Sequence, residues 1–484
     1  MKKTSIFLSI ILCFSILFAQ FGCSDNSKEI TEYQIVANFN EKVLTATQTV
    51  DYFNDTEVSL TELKFNLFGN AYRKDAKFSP VSAQTVAQSY PNGLSYGDMK
   101  INSVLVDGKD AEFLINGIDQ NVLSVNLGKE IFPEEHIRIE IDFVLNLANV
   151  VSRTGYNEHT INLANFYPIL CARDNNGFYE CVYYSYGDPF FSDCANYKVT
   201  LTANKKYTFA TSGKEVSSAT NGEYLSKTYE VEKARSFAIV LSENFKCETD
   251  TSTGVEINYF YYNDNNPTYS LDYAVKSMNY FNKTFGKYPY KTYSVVQTEF
   301  VQGGMEFPGL VMISDRLEEG AYGEVIVHET AHQWWQSVVG NNEVEYGFLD
   351  EGLAEYSVVL FYENHPEYKM KRADMIEATE KTFKSFCTVY DKLFGSVNTT
   401  MIRSLKDFSS EYEYVNIAYI KPCIMYEYLR KTAGEERFFK GLSKYYEKYQ
   451  FKNAEPYDIV GVFEKIGADS NGYFDTFYTG KEII

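Results

Sequence analysis

Two histidines stand four residues apart around a glutamate in the stretch GEVIVHETAHQWWQSVVGNN, residues 323–342. The chain of 484 residues has only five histidines, so this pairing is a specific signal. Positions four apart share one face of an α-helix, so His328 and His332 can both direct an imidazole at one metal ion. Glu329 lies roughly 100° away around the helix axis, where it can reach a metal-bound water without binding the metal itself. Two surface histidines that meet by chance are the alternative, and the rarity of histidine in this chain argues against it.

The residues around the pair predict a helix over 323–339, because they contain no proline and Gly340 is a natural helix end. Trp334 and Trp335 are the only tryptophans of the chain. We expect both to pack in the core around this helix rather than to contact a ligand.

A catalytic zinc site takes three protein ligands and leaves a fourth position for water. Glu351 stands nineteen residues after His332, within YGFLDEGLAEYSVVLF. A second helix packed against the first would present Glu351 to the metal. Glu355, one turn later on the same face, could accept a hydrogen bond from the second nitrogen of a ligand histidine. A solvated carboxylate is an equally open interpretation of Glu355.

The pattern around these residues resembles a known family. HETAHQWW, with EGLAEY beginning nineteen residues after His332, is similar to the zinc site of the aminopeptidase N-like gluzincin metallopeptidases. GGMEFPGLV, residues 303–311, resembles the family's Gly-x-Met-Glu-Asn exopeptidase motif, and residues 62–73 and 184–202 resemble its N-terminal β-domain. The resemblance covers the chain from about residue 31 onward. It implies a zinc peptidase that acts on peptides with a free N-terminus.

The resemblance also implies a role for each matched residue of the zinc motif. One zinc ion per chain would be bound by His328, His332 and Glu351. Glu329 would be the general base that takes a proton from the attacking water.

Glu306 matches the glutamate that holds the free α-amino group of a substrate in this family. The substrate-binding residues beside it would be Gly303, Gly304 and Met305. A fixed carboxylate beside the metal pairs with an ammonium group and limits cleavage to the first peptide bond. Phe307 stands where the family has asparagine, which removes one polar contact but leaves Glu306 in place. The chain also ends close to the end of the family's catalytic domain, so we expect the C-terminal helical domain of longer members to be missing.

A tyrosine hydroxyl beside zinc commonly stabilises the oxyanion of the tetrahedral intermediate in this family. VNIAYIKPCIMYEYL, residues 415–429, resembles the family's tyrosine helix, in which a lysine follows two residues after the tyrosine. Tyr419 with Lys421 fits that spacing best. Tyr412 and Tyr414 lie close in sequence and remain alternatives.

The patterning divides the chain into two units. Residues 31–250 form short alternating runs broken by turn residues, which predicts an all-β saddle or sandwich. Strand and helix patterns alternate after residue 251, and most of the chain from residue 318 onward is helical in pattern. The prediction is therefore an α+β, multidomain protein. Its second unit, residues 251–484, would be the catalytic domain, and the resemblance implies a thermolysin-like α/β-plus-helical fold for it.

Residues 1–22 combine a positive start with an apolar run and predict an export signal. Gly22 and Cys23 fit a bacterial lipobox, whose cysteine becomes lipidated, whereas Gln20 departs from the aliphatic residue usual at its position. We expect an exported lipoprotein that faces outward from the cell membrane, with residues 23–30 as a tether. An uncleaved membrane anchor and a fully secreted protein are the alternatives.

The bulk composition limits the partners. A formal net charge of −20 argues against nucleic acid as a partner, because phosphates would be repelled. Six cysteines follow Cys23, and none shows the Cys-x-x-Cys spacing of a cysteine zinc site. Cys171 and Cys181 could form a bridge across a hairpin, and buried thiols are an equally open interpretation. The sequence does not define an oligomeric state.

These observations together predict an exported zinc aminopeptidase. A zinc endopeptidase on the same site is the first alternative, and Glu306 argues against it because its role is useful mainly to an exopeptidase. A cell-surface binding module with a vestigial zinc site is the second alternative. The intact set of ligands, base and tyrosine argues against that interpretation.

Overall fold

The structure, a computed structural model, describes residues 29–174, 176–468 and 472–481. These residues form two units that follow one another along the chain. Within these ranges, no helix is both long and apolar enough to span a membrane. The predicted signal, Cys23 and most of the tether lie outside the described residues.

The first unit is built almost entirely of strands. Its strands are β1 (Glu32–Asn40), β2 (Val43–Phe53), β3 (Leu60–Asn66), β4 (Asp98–Val106), β5 (Lys109–Asp110), β6 (Phe113–Asn116), β7 (Val122–Ile131), β8 (His136–Asn146), β9 (Thr154–Tyr156), β10 (Ile161–Leu163), β11 (Ile169–Leu170), β12 (Arg173–Asp174), β13 (Gly177–Phe178), β14 (Ala195–Asn204), β15 (Thr208–Thr211), β16 (Lys214–Asn221), β17 (Tyr224–Ala234) and β18 (Ile239–Ser242). One short helix, α1 (Val86–Ser89), and a 3-10 turn (Phe68–Tyr72) interrupt them.

A large twisted sheet forms the body of this unit. Its strand order is β16-β17-β14-β1-β2-β8-β4-β5, and only β1 and β14 run parallel to each other. Strands β1, β2 and β8 alternate strictly between buried and more exposed residues, because one face covers the core and the other faces outward. Two four-stranded sheets, β15-β18-β10-β9 and β11-β3-β7-β6, and the short pair β12-β13 complete the unit. The predicted all-β saddle or sandwich is confirmed.

The second unit begins with strands and continues mostly as helices. Its strands are β19 (Lys246–Asp250), β20 (Glu256–Tyr261), β21 (Thr292–Thr298), β22 (Gly304–Met305), β23 (Leu310–Ser314), β24 (Val339–Gly340) and β25 (Lys452–Asn453). Its α-helices are α2 (Pro267–Thr284), α3 (Glu319–Ala331), α4 (Glu343–Tyr346), α5 (Phe348–Asn364), α6 (Arg372–Phe394), α7 (Glu411–Val415), α8 (Lys421–Ala433), α9 (Glu435–Tyr449), α10 (Pro456–Lys465) and α11 (Tyr473–Tyr478). Two 3-10 turns (Pro366–Tyr368, Leu405–Asp407) and a π-helix (Asn416–Ile420) lie between them.

The sheet of this unit has the order β19-β20-β21-β23-β22. Strands β20, β21 and β23 run parallel, and every residue of β21 is buried, as expected for a parallel strand covered on both faces. The short strand β22 closes the edge antiparallel to β23. The predicted boundary after residue 250 falls between β19 and β20, and these two strands pair with each other in this sheet.

Helix α3 packs against α2, α5 and the strands β22 and β23, so it lies between the edge of the sheet and α5. Both predicted core tryptophans are buried there, which confirms their assignment. All six described cysteines are free thiols, and four of them are buried, including Cys171 and Cys181. The arrangement brings the motif on α3 between the sheet edge and α5.

Candidate active site

The two motif histidines lie at the C-terminal end of α3. His328 is in the last turn of the helix, and His332 is its cap residue, whose backbone N–H still donates to the carbonyl of His328 over 3.2 Å. The predicted helix over residues 323–339 is wrong in extent, because α3 runs from Glu319 to Ala331. The spacing of the two histidines survives since the turn that joins them is still helical.

The helix ends just before two tryptophans whose side chains bond to distant parts of the chain. The indole N–H of Trp334 donates to the carbonyl of Gly286 over 2.7 Å, and that of Trp335 donates to the hydroxyl of Ser357 over 3.1 Å. Residues 332–338 form tight turns, and β24 then pairs with β25. Gly340 is therefore a strand residue and not the end of a helix.

Helix α5 supplies the third group of the motif. Nε2 of His328 lies 3.3 Å and Nε2 of His332 lies 3.2 Å from Oε2 of Glu351, and the two Nε2 atoms are 3.1 Å apart. A tetrahedral ion with ligands at about 2.05 Å would separate any two donor atoms by about 3.3 Å. Two imidazoles and one carboxylate are also a ligand set that zinc prefers. The three residues therefore fit a zinc ion in both chemistry and spacing.

Contacts behind the two histidines fix the orientation of their rings. Nδ1 of His332 donates to the carbonyl of Trp335 over 3.1 Å. Nδ1 of His328 lies 3.3 Å from Oε2 of Glu355, so the structure places Glu355 where the sequence predicts it. Asp350 was missed: its Oδ2 lies 3.9 Å from Nδ1 of His332, on the side opposite the metal position. The only indication of Asp350 in the sequence is its position directly before Glu351.

Glu329 faces the same space without contributing to the three-atom cluster. Its side chain is 5% exposed, and its Oε2 has no hydrogen-bond partner. Burial raises the pKa of Glu329 to about 7, although the nearby His328 and His332 act in the opposite direction. Gly304 lies against this carboxylate so closely that any Cβ at Gly304 would collide with it. A buried carboxyl group thus lies between α3 and the edge strand β22.

The exopeptidase-like motif lies along that edge. Gly304 and Met305 form β22, and the carbonyl of Gly303 accepts a hydrogen bond from the backbone of Ser314 over 2.9 Å. Glu306 follows directly, 4% exposed, with no hydrogen-bond partner at its Oε1. Burial, reinforced by the nearby carboxylate of Asp188, raises its pKa well above the usual range. A buried carboxyl oxygen without a partner can accept a hydrogen bond from a cationic group that enters the site.

The first unit contributes a buried ion pair to this edge that sequence reasoning missed. Nη2 of Arg153 lies 2.6 Å from Oδ1 of Asp188, and Nε of Arg153 donates to the sulfur of Met305 over 2.9 Å. Asp188 lies within the stretch 184–202 that carries the β-domain resemblance, which was the only signal for it. Phe307, the departure from the family motif, is buried in the core beside Phe190.

Tyr419 lies in the π-helix between α7 and α8. Its hydroxyl donates to Oε1 of Glu351, and its ring stacks on that of His328 with centroids 6.0 Å apart. Tyr414 lies edge-on to Tyr419 and does not bond to Glu351 in the structure, whereas Tyr412 is 49% exposed. Of the three candidate tyrosines, Tyr419 is thus the one whose hydroxyl reaches the ligand cluster.

Comparison with known proteins agrees with this geometry. Residues 269–477 match the sequence profile of the Peptidase family M1 domain. The chain carries a peptidase family M1 domain. This M1 domain contains every zinc-motif residue and Tyr419, and the match supports the aminopeptidase N-like resemblance.

The relatives of the M1 domain are distant and longer. Aminopeptidase N of Haemonchus contortus is 24% identical over 300 residues, which cover 57% of this chain and 30% of the relative. Aminopeptidase N of Lactococcus lactis subsp. lactis is 28% identical over 255 residues, which cover 47% of this chain and 28% of the relative. The matched part of the chain thus spans less than a third of each of these relatives.

Solved structures match over nearly the whole described fold. The M1 zinc metallopeptidase from Deinococcus radiodurans superposes with a TM-score of 0.68 at 14% identity, covering 94% of this chain and 95% of that one. A mutant of that protein bound to a Tyr-Ser-Ala substrate gives a TM-score of 0.67 at 14% identity, with coverages of 94% and 95%. At this identity the match establishes the fold alone, a β unit followed by an M1 domain.

Proposed function

We propose that the chain is a zinc-dependent aminopeptidase that hydrolyses the N-terminal peptide bond of peptides, with one zinc ion per chain. One observation carries the proposal: three donor atoms of His328, His332 and Glu351 converge at 3.1–3.3 Å beside the unpaired carboxylate of Glu329. This is the constellation that metal-assisted hydrolysis needs: a ligand set with an open position and a base that is not a ligand.

A zinc ion at this position would acidify a bound water and polarise the scissile carbonyl. Glu329 accepts the proton of the attacking water and then delivers it to the leaving nitrogen. Its burial favours this role, because a base with a pKa near the working pH combines the right protonation state with an adequate driving force. Gly304 keeps the approach to this carboxylate free of a side chain.

The hydroxyl of Tyr419 is the donor available for the developing oxyanion. Its bond to Glu351 places it beside the three metal-binding side chains, and in this role it would donate to a substrate oxygen instead. A fixed donor stabilises the transition state more than the ground state, because the negative charge develops only during the reaction.

Glu306 and β22 define the register of the substrate. The unpaired Oε1 of Glu306 would receive the α-ammonium group of the first residue. The free side of β22, at the edge of the sheet, offers backbone groups to an extended peptide at Gly303, Gly304 and Met305. A peptide held at its amino end in this way presents its first peptide bond to the metal.

A panel of aminoacyl chromogenic substrates tests the proposal, assayed with and without a zinc chelator. The proposal predicts hydrolysis that disappears with chelator and returns on addition of one zinc equivalent per chain. A matched variant, His332→Ala, should bind no zinc and hydrolyse none of the panel. A wild-type chain that binds zinc but cleaves none of these substrates or peptides would favour a binding module with a vestigial site instead.

We further propose that the enzyme is exported and held at the outer face of the cell membrane by a lipid on Cys23. The sequence around Gly22 and Cys23 supports this proposal. Two acyl chains on one cysteine would anchor the protein far more firmly than one chain. Replacement of Cys23 by alanine should abolish acyl labelling and leave the uncleaved precursor. A variant that matches wild type in labelling and size would show that the lipid is absent.

A further inference from the structure

The second zinc-ligand histidine, His332, is the cap residue of α3 and begins the turns that follow the helix. The ring of His332 is oriented by the carbonyl of Trp335, at 3.1 Å from its Nδ1. The carbonyl of His332 in turn accepts from the backbone of Ser337 over 3.0 Å. The orientation of the His332 ring therefore depends on the position of the turns over residues 332–338, which α3 alone does not determine.

Arg235 of the first unit reaches this segment. It follows the last residue of β17 and is 3% exposed. Its Nε donates to the carbonyl of Gln336 over 2.7 Å, one peptide beyond the carbonyl that orients His332. The other nitrogens donate to oxygens of Ser192 at 3.1 Å, Lys452 at 2.6 Å and Asn453.

The same guanidinium also contacts the strand pair that ends the segment. Gly340 in β24 pairs with Asn453 in β25, and both lie against Arg235. A Cβ at Gly340 would collide with the guanidinium group, so the close approach requires glycine. Arg235 thus holds both the turn after His332 and the strand that follows it.

The partners of Arg235 are unusual for a buried arginine. Among the described residues, its guanidinium forms no ion pair within 4.0 Å, and its hydrogen bonds go to neutral oxygens. The nearby carboxylate of Asp193 accepts from the side chain of Asn453 over 2.6 Å instead. Burial of a charge without an ion-pair partner is costly, even when every nitrogen is hydrogen-bonded. Stability alone is therefore a poor reason for a charge at this place, whereas precise placement of a backbone segment is a good one.

We infer that Arg235 is a positioning residue for the zinc ligand His332. By holding the carbonyl of Gln336, it fixes the adjacent carbonyl of Trp335 and with it the ring of His332. The β unit would then complete the metal site of the M1 domain without contributing a ligand. This inference rests on the proposed zinc site.

Zinc affinity of the full-length chain, measured by chelator competition, tests the inference. Arg235→Gln and Gly340→Ala should each weaken zinc binding by about 10- to 100-fold, the usual effect of losing a contact that orients a ligand. Gly340→Ala disturbs the guanidinium without removing its charge, so it remains a test if Arg235→Gln does not fold. Arg235→Lys should fall between these variants and wild type, because an ammonium cannot reproduce the planar set of donors. In the metal-free chain, hydrogen exchange over residues 332–340 should be faster in Arg235→Gln and Gly340→Ala.

Arg430→Gln is the matched control. Arg430 is also buried, but it pairs with Glu363 and Glu435 at 2.7 Å and makes no hydrogen bond to residues 332–340. If Arg430→Gln lowered Tm as much as Arg235→Gln and weakened zinc binding equally, the effect would be one of general destabilisation. That result would overturn the inference. Wild-type zinc affinity in folded Arg235→Gln and Gly340→Ala would overturn it as well. Failure of the wild-type chain to bind zinc would instead overturn the proposed function on which the inference rests.

Discussion

Replacement of Glu306 by glutamine removes the ionisable carboxyl group and keeps the shape of the side chain. We expect this variant to lose selectively the cleavage of substrates that have a free α-amino group. The Glu306 carboxyl group is 4% exposed and its Oε1 has no hydrogen-bond partner, so in the free chain this oxygen is available to a cationic group. Bringing an ammonium group to such an oxygen forms a charge-assisted hydrogen bond away from bulk water.

A hydrogen bond that involves a charged group contributes about 1.5–3 kcal/mol, which corresponds to a factor of about 10–150 in kcat/KM. The assay compares a leucyl substrate with its desamino analogue, in which hydrogen replaces the amino group. Wild type should prefer the leucyl substrate by that factor, and Glu306→Gln should lose most of the preference. The variant should not melt below wild type, because the carboxyl group that it replaces is buried and its Oε1 has no hydrogen-bond partner in the free chain.

Glu343 provides the control for this experiment. It is 2% exposed, has two unpaired oxygens and lies on α4 rather than at the sheet edge. Glu343→Gln should retain the preference for the amino substrate. If Glu306→Gln lost activity equally on the two substrates, the assignment of Glu306 as receptor of the amino group would be refuted.

Three further substitutions separate the remaining roles. Glu329→Gln should lower kcat at least about 100-fold, as loss of a general base does, while zinc stays near one ion per chain. Loss of zinc from that variant would show that Glu329 is a ligand. Tyr419→Phe should lower kcat about 100- to 1,000-fold with little change in KM, because its hydroxyl would act on the oxyanion of the transition state. An increase in KM alone would contradict that role. Glu355→Ala should weaken zinc binding about 10- to 100-fold through His328, and unchanged affinity would support the solvated-carboxylate interpretation.

Much of the site was predictable because its geometry is local. His328, Glu329 and His332 occupy one helical turn, and Glu355 follows Glu351 by one turn of α5, so spacing alone predicts which side chains share a face. The all-β first unit was predictable for a similar reason, since strict alternation in β1, β2 and β8 reflects one buried face.

The features that were missed depend on contacts between distant parts of the chain. The end of α3 is set by the partners that Trp334 and Trp335 find at Gly286 and Ser357. The π-helix that directs Tyr419 toward Glu351 has no periodic signal in sequence. Arg153 and Arg235 act from the first unit on residues more than 100 positions away, and no local pattern encodes such pairings.

The direct test of the central claim is the cleavage of one peptide in two forms, with a free and with an acetylated N-terminus, followed by mass spectrometry. A zinc aminopeptidase should remove residues one at a time from the free peptide and leave the acetylated peptide intact. Chelator should stop the reaction and added zinc should restore it. Internal cleavage of the acetylated peptide at a comparable rate would contradict the aminopeptidase assignment and favour an endopeptidase, and activity that persists in chelator would contradict the role of zinc.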